Sequence, residues 1–181
     1  MKRLFVGIPL PEEVKAKLKP ALNALTETGV KAVPADNLHL TIKFLGDVEE
    51  NKIQEICSKL EILAKYKPFL IKLKKINTFG EKQIRVIWVG LESNEMVLLM
   101  KRANESLNYI RMDGHQEEIP HLTLARVNKV KDNEELLNIL KKYEKVELGE
   151  VLVDKFYLYE SELTPEGPVY GIVKEFGLNT G

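Results

Sequence analysis

The tetrapeptide His39-Leu40-Thr41-Ile42 returns 82 residues downstream as His121-Leu122-Thr123-Leu124. Other features return around it in the same order. Leu4-Phe5-Val6-Gly7-Ile8 resembles Ile87-Trp88-Val89-Gly90-Leu91 at an offset of 83, and apolar helical patterns near residues 50–64 and 132–143 keep nearly the same spacing. Each half reads as strand, amphipathic helix, strand carrying His-x-Thr, helix, strand. One short match is chance. Several in one order at a near-constant offset predict two related lobes. A chain of 181 residues suits one domain, or two small lobes sharing a core, over 1–181.

Periodicity places the elements. Residues 3–9 are rich in β-branched and aromatic side chains and end at Pro9, a strand signal. Val14, Leu18, Leu22 and Leu25 fall on one helical face, with Pro11 suited to the first turn. Pro34, Asp36 and Asn37 mark a loop over 31–37, followed by a strand over 38–45 that Gly46 closes. Ile53, Ile56, Leu60 and Leu63 stripe a second helix, and Met96, Met100, Ala103, Leu107 and Ile110 a third. Asp132 can cap a fourth, bearing Leu136, Leu140 and Tyr143. Further strands are expected over 69–76, 84–91, 119–127, 151–160 and 169–176, with a polar loop over 111–118. No linker separates the halves, so the lobes pack closely as an α/β or α+β sandwich with helices covering the sheets.

In a strand, residues i and i+2 share a face. His39 therefore projects with Thr41, and His121 with Thr123. If the two strands face one cleft, it holds two imidazoles and two hydroxyls. With an ordinary pKa near 6.5, one ring can be neutral while the other is protonated. A neutral ring takes a proton from water and a protonated ring gives one to a leaving oxygen. Cleavage of a phosphodiester needs both events, on opposite sides of phosphorus. Each contributes about 10²–10⁴-fold. The threonine hydroxyls can donate to non-bridging phosphate oxygens. The scheme requires no metal. Threonine is a poor transition-metal ligand, and neither motif adds a Cys or carboxylate.

Two cations adjoin these motifs. Lys43, at an even offset of four from His39, belongs on the His39 face; there it adds positive potential at the cleft edge or sits past the sheet rim in solvent. Arg126, at an odd offset of five from His121, belongs on the opposite face and reaches the cleft only if the strand ends, twists or bulges. A lone His-x-Thr is more often structural; two at equivalent repeat positions favour function. His115 reads as an exposed loop residue, Cys57 as a small core residue, and Lys72, Lys74 and Lys75 as a solvated strand face.

Composition narrows the class. Lys+Arg and Asp+Glu each number 27, so the net charge is zero. That argues against a protein that coats nucleic acid, but not against one that grips one or two phosphates. One cysteine excludes an intrachain disulfide and fits a reducing compartment. The short apolar run at the N-terminus is followed by Glu12-Glu13, unlike a signal peptide, and no stretch approaches the roughly 20 apolar residues of a membrane span. The expectation is a soluble cytoplasmic protein, monomeric by default.

His39-Leu40-Thr41-Ile42-Lys43-Phe44-Leu45-Gly46 and Pro120-His121-Leu122-Thr123-Leu124-Ala125-Arg126 resemble the paired motifs of the two-histidine phosphoesterase superfamily. Within it, the chain is most similar to the RNA 2′,3′-cyclic phosphodiesterases, also called 2′-5′ RNA ligases. The resemblance runs nearly full length, through Arg3-Leu4-Phe5-Val6-Gly7-Ile8, Arg85-Val86-Ile87-Trp88-Val89-Gly90 and Ser161-Glu162-Leu163-Thr164-Pro165-Glu166-Gly167-Pro168-Val169-Tyr170. It implies an α+β bilobed fold of two pseudo-symmetric antiparallel sheets, with helices outside and a central cleft. It implies opening of RNA 2′,3′-cyclic phosphate ends, tRNA-derived ends among them, to 2′-phosphates without a cofactor, and 2′-5′ ligation as a side capability. Carried over by position, His39 matches the proton donor and His121 the proton acceptor. Thr41 and Thr123 match phosphate-binding threonines, and Arg126 an arginine near the phosphate. Spacing alone leaves acid and base unassigned, because the repeat makes the histidines nearly equivalent. Two alternatives stand beside this reading. One is a phosphodiesterase acting on small cyclic nucleotides or 2′-5′ oligonucleotides; the other is a non-catalytic binder of RNA ends.

Overall fold

The computed structural model describes residues 1–80, 83–110, 119–144, 148–165 and 167–179. The apolar run after Lys2 forms β1 (Lys2–Pro9), and the first helical face forms α1 (Glu12–Glu27). A two-residue strand, β2 (Lys31–Ala32), lies within the segment expected to be loop. The first motif strand is β3 (His39–Val48), followed by α2 (Ile53–Leu63). Then come β4 (Phe69–Phe79), β5 (Val86–Glu92), α3 (Asn94–Ser106) and the second motif strand, β6 (His121–Arg126). The chain ends with α4 (Asn133–Tyr143), β7 (Gly149–Val153), β8 (Lys155–Thr164) and β9 (Gly167–Gly177). Asp132 does cap α4, its carboxylate accepting from the Glu135 N–H at 2.9 Å. The loop expected over 111–118, with His115, lies outside the described residues.

The strands form two antiparallel sheets, ordered β3-β1-β8-β9 and β2-β6-β5-β4-β7. Without the short β2, the second order repeats the first: each motif strand is followed by a partner strand and two more. The fold is α+β. Leu40, Ile42, Leu122 and Leu124 turn inward and are fully buried. Burying each such side chain is worth about 1.5–3 kcal/mol, which fixes which face of each motif strand meets the helices.

Two helices pack on the lobe opposite the strand they leave. α1 follows β1 of the first sheet yet packs on β2, β6, β7 and α4 of the second lobe. α3 joins two strands of the second sheet and packs on β3 and α2 of the first. The lobes thus exchange helices, and β3 and β6 come into contact where they meet.

Two local expectations change. The strand read over 151–160 is two strands in different sheets, parted at Asp154. Val151 and Val153 are buried at a spacing of two, but the next inward residue is Phe156, three further on. That phase slip is where the chain crosses from one sheet to the other. Second, Pro9 pairs with His39 and Gly90 with His121. Pro9 and Gly90 are therefore equivalent, and the match of Gly7 with Gly90 is two residues out of step. A two-residue slip keeps every side chain on its own face, so alternation could not reveal it.

Candidate active site

Both motif strands carry the same irregularity. In the first sheet Gly7 pairs with Thr41 and Val6 with Lys43, leaving Ile42 without an opposite residue. In the second, Trp88 pairs with Thr123 and Ile87 with Ala125, leaving Leu124 without one. Each is a β-bulge, which inserts one residue and re-aims those after it. The burial patterns coincide: half-buried His39 and Thr41, buried Leu40, Ile42 and Lys43, exposed Phe44; half-buried His121 and Thr123, buried Leu122, Leu124 and Ala125, exposed Arg126.

The bulge brings Arg126 to the histidine face, against strict alternation, and it lines the cleft. The same device sends Lys43 away. Lys43 stands neither at the cleft edge nor in solvent. It is 4% exposed on the helix side, where its Nζ donates to Asn104 Oδ1 of α3 at 3.0 Å. Burial pushes its amine below the usual lysine range. Counting residues could not place either cation, because parity holds only until the first bulge.

Each imidazole is pinned in the same way. His39 Nδ1 lies 2.8 Å from the carbonyl of Asn37, and His121 Nδ1 lies 2.8 Å from the carbonyl of Ile119. A carbonyl only accepts, so Nδ1 carries the hydrogen in both rings and Nε2 is the atom left to exchange a proton. Asn37 is itself held by its Nδ2 donating to Pro168 O at 2.7 Å, which ties the first motif to the β9 entry. Burial pushes the His39 imidazole below its ordinary 6.5; the Asn37 carbonyl opposes this, and the charge of His121 adds to it. The two rings are therefore within electrostatic reach of each other.

Aromatic walls hold the rings. His39 lies 4.6 Å from Phe5 and edge-on to Tyr170 at 5.2 Å, with Tyr159 behind Phe5. His121 stands edge-on to Phe79 at 5.4 Å and to Trp88 at 5.8 Å. The sequence pattern singled out none of these five partner side chains as site residues. Phe5 and Trp88 sit on the strands paired with the motifs, so alternation from the pairing register locates them. Tyr159, Tyr170 and Phe79 depend on β8, β9 and β4 folding beside them.

A cavity of about 290 Å³ is lined by His39, Thr41, Thr123 and Arg126, together with Lys31 and Tyr170. Four of the sequence-derived candidates thus share one space. His121 is not among its lining residues, but it shares the face of Thr123, two residues before it on β6. Lys43 does not line it. Among the described residues, no group of three or more His, Cys, Asp or Glu side chains is placed to hold a metal ion, and no helix is long and apolar enough to cross a membrane.

The LigT like Phosphoesterase family matches this chain twice, over residues 8–88 and 92–170, one stretch around each motif. An RNA 2′,3′-cyclic phosphodiesterase of Methanocaldococcus jannaschii is 38% identical over 175 residues, spanning 96% of this chain and 99% of that protein. Its counterpart in Archaeoglobus fulgidus is 35% identical over 177 residues, with 96% and 99% covered. The crystal structure of TT0787 of Thermus thermophilus superimposes with a TM-score of 0.82 at 32% identity, over 97% of each chain. With both halves matching one family and the whole length aligned to such relatives, the chain belongs to the LigT-like phosphoesterases, in the RNA 2′,3′-cyclic phosphodiesterase family.

Proposed function

We propose that this phosphodiesterase opens the 2′,3′-cyclic phosphate at an RNA 3′ end to a 2′-phosphate by general acid and base catalysis at the two histidines. The observation that carries the reading is the pair of Nδ1-anchored imidazoles on matching bulged strands, β3 and β6, that come into contact with each other. His121 Nε2 accepts a proton from water as the water oxygen bonds to phosphorus. The bond from phosphorus to the 3′ oxygen breaks, and that oxygen takes the proton from His39 Nε2. The 2′ oxygen keeps the phosphate. His39 ends neutral and His121 protonated, and exchange with solvent restores both.

Thr41 and Thr123 donate to the non-bridging oxygens, and the forked Arg126 guanidinium binds two oxygens at once. The depressed His39 pKa is compatible with its role as donor, because a bound phosphodiester anion favours the imidazolium and offsets burial. If an RNA 5′ hydroxyl replaces water, the same steps join two ends through a 2′-5′ linkage, with no nucleoside triphosphate consumed. The test is His39→Ala and His121→Ala, assayed on an RNA with a 2′,3′-cyclic phosphate. Each should lose about 10²–10⁴-fold in rate. Near-wild-type rates in both would end the proposal.

A further inference from the structure

A second groove of about 880 Å³ runs on from the catalytic cavity, sharing Phe44, Arg126 and Tyr170 with it. Beyond them it reaches Arg3, Asp47 and Ser161. Apart from Arg126, these residues belong to the sheet that carries His39. Arg3 is exposed and forms no salt bridge among the described residues, although Asp47 stands opposite it on β3. The charges of Arg126 and Arg3 both act on the Tyr170 hydroxyl, so both guanidiniums lie within reach of one ring on the groove wall. The groove volume falls in the range of pockets that enclose a small organic ligand, about 300–1,000 Å³.

In-line displacement gives the substrate a direction. The attacking oxygen arrives from the His121 side and the 3′ oxygen departs on the His39 side. The ribose that bears the departing oxygen therefore lies over the first sheet, and the RNA continues from its 5′ oxygen along that sheet. We propose that the 880 Å³ groove holds the nucleotide preceding the reacting end, with Arg3 binding the phosphate that links the two. This rests on the function proposed above. An exposed guanidinium without an ion pair has its forked donors available, and a phosphodiester oxygen pair matches them. Asp47, the cross-strand neighbour of Arg3, disfavours a run of several phosphates, which limits the site to this one linkage.

The experiment compares kcat/KM for a mononucleotide 2′,3′-cyclic phosphate with that for a dinucleotide ending in the same group. Wild-type enzyme should favour the dinucleotide about tenfold, the low end for one exposed charge-assisted contact. In Arg3→Ala that ratio should fall to about one, with Arg3→Lys in between. The wild-type salt dependence should be steeper for the dinucleotide by about 0.7 in log–log slope, and Arg3→Ala should remove the difference. A wild-type ratio near one, or a ratio that Arg3→Ala leaves unchanged, overturns the inference. No turnover of either substrate by the wild type overturns the proposed function and this inference with it. Turnover without length preference overturns only this one.

Discussion

Gly7→Val tests whether His39 is held where the two-histidine chemistry needs it. Gly7 is buried on β1 opposite Thr41, on the His39 face. A Cβ there would stand 3.3 Å from His39 Cδ2, from Phe5 Cε2 and from the Leu40 carbonyl oxygen. A single methyl needs its neighbours to give by a few tenths of an ångström. Valine adds two Cγ atoms about 1.5 Å farther out, inside the same ring of neighbours. One of them then lies roughly 2–2.5 Å from an atom that relaxed contact would keep about 3.5–4.0 Å away. Something must retreat by about 1 Å to relieve most of that overlap. The Leu40 carbonyl is strand backbone, and Phe5 is stacked on Tyr159 at 4.9 Å. The His39 ring borders the open cavity, so it yields, straining its 2.8 Å bond to the Asn37 carbonyl. A roughly 1 Å misplacement of a reacting group costs about 10²-fold. The overpacking itself costs about 1–3 kcal/mol of stability. The assay is kcat on a saturating mononucleotide 2′,3′-cyclic phosphate, with thermal unfolding alongside. Gly171→Val is the control, since a Cβ at Gly171 meets nothing within 4 Å; it should keep both rate and stability. A folded Gly7→Val enzyme with more than about a tenth of wild-type kcat would refute this account of how His39 is positioned.

Two further predictions concern the buried titratable groups. The kcat/KM–pH profile in EDTA should be bell-shaped and unaffected by the chelator. Its acid limb reports the lower of two apparent pKa values and should lie below 6.5, because burial holds His39 down; in kcat, read with the phosphate anion bound, that limb should move to higher pH. An acid limb fixed at or above 6.5 in both plots contradicts this. Lys43→Met should keep activity within about twofold, and a loss near roughly a hundredfold would place the amine in the cleft after all. The folded Lys43 pKa is depressed from 10.5, so between the two values the unfolded chain binds more protons and wild-type stability rises with pH. Lys43→Met lacks that rise, and its stability relative to wild type should decline as pH climbs toward 10.5; parallel urea-unfolding curves across that window would count against the burial.

The site was legible where local pattern carries it. His39 with Thr41, and His121 with Thr123, share a face because nothing interrupts the strand between them, and the doubled motif announced two lobes. Legibility failed at the first bulge. Parity put Arg126 off the histidine face and Lys43 on it; the inserted residues Ile42 and Leu124 reversed both. A bulge is set by how two strands pair, and neither strand alone records it. The aromatic walls were missed for a related reason. Tyr159 and Tyr170 are far from His39 in the chain, and only the antiparallel run β1-β8-β9 brings them to its ring.

The amino-acid order alone pointed to the two His-x-Thr pairs, to two related lobes and, up to the first bulge of each motif strand, to which residues face inward, because alternation, helical spacing and the repeat are properties of neighbours in the chain. Tertiary structure decided that α1 and α3 cross to the opposite lobe, that the stretch around Asp154 is shared between two sheets, and that Arg126 enters the cleft while Lys43 leaves it. Those outcomes depend on the pairing register between distant strands. That register is chosen by burial summed over the whole core, which no single segment encodes.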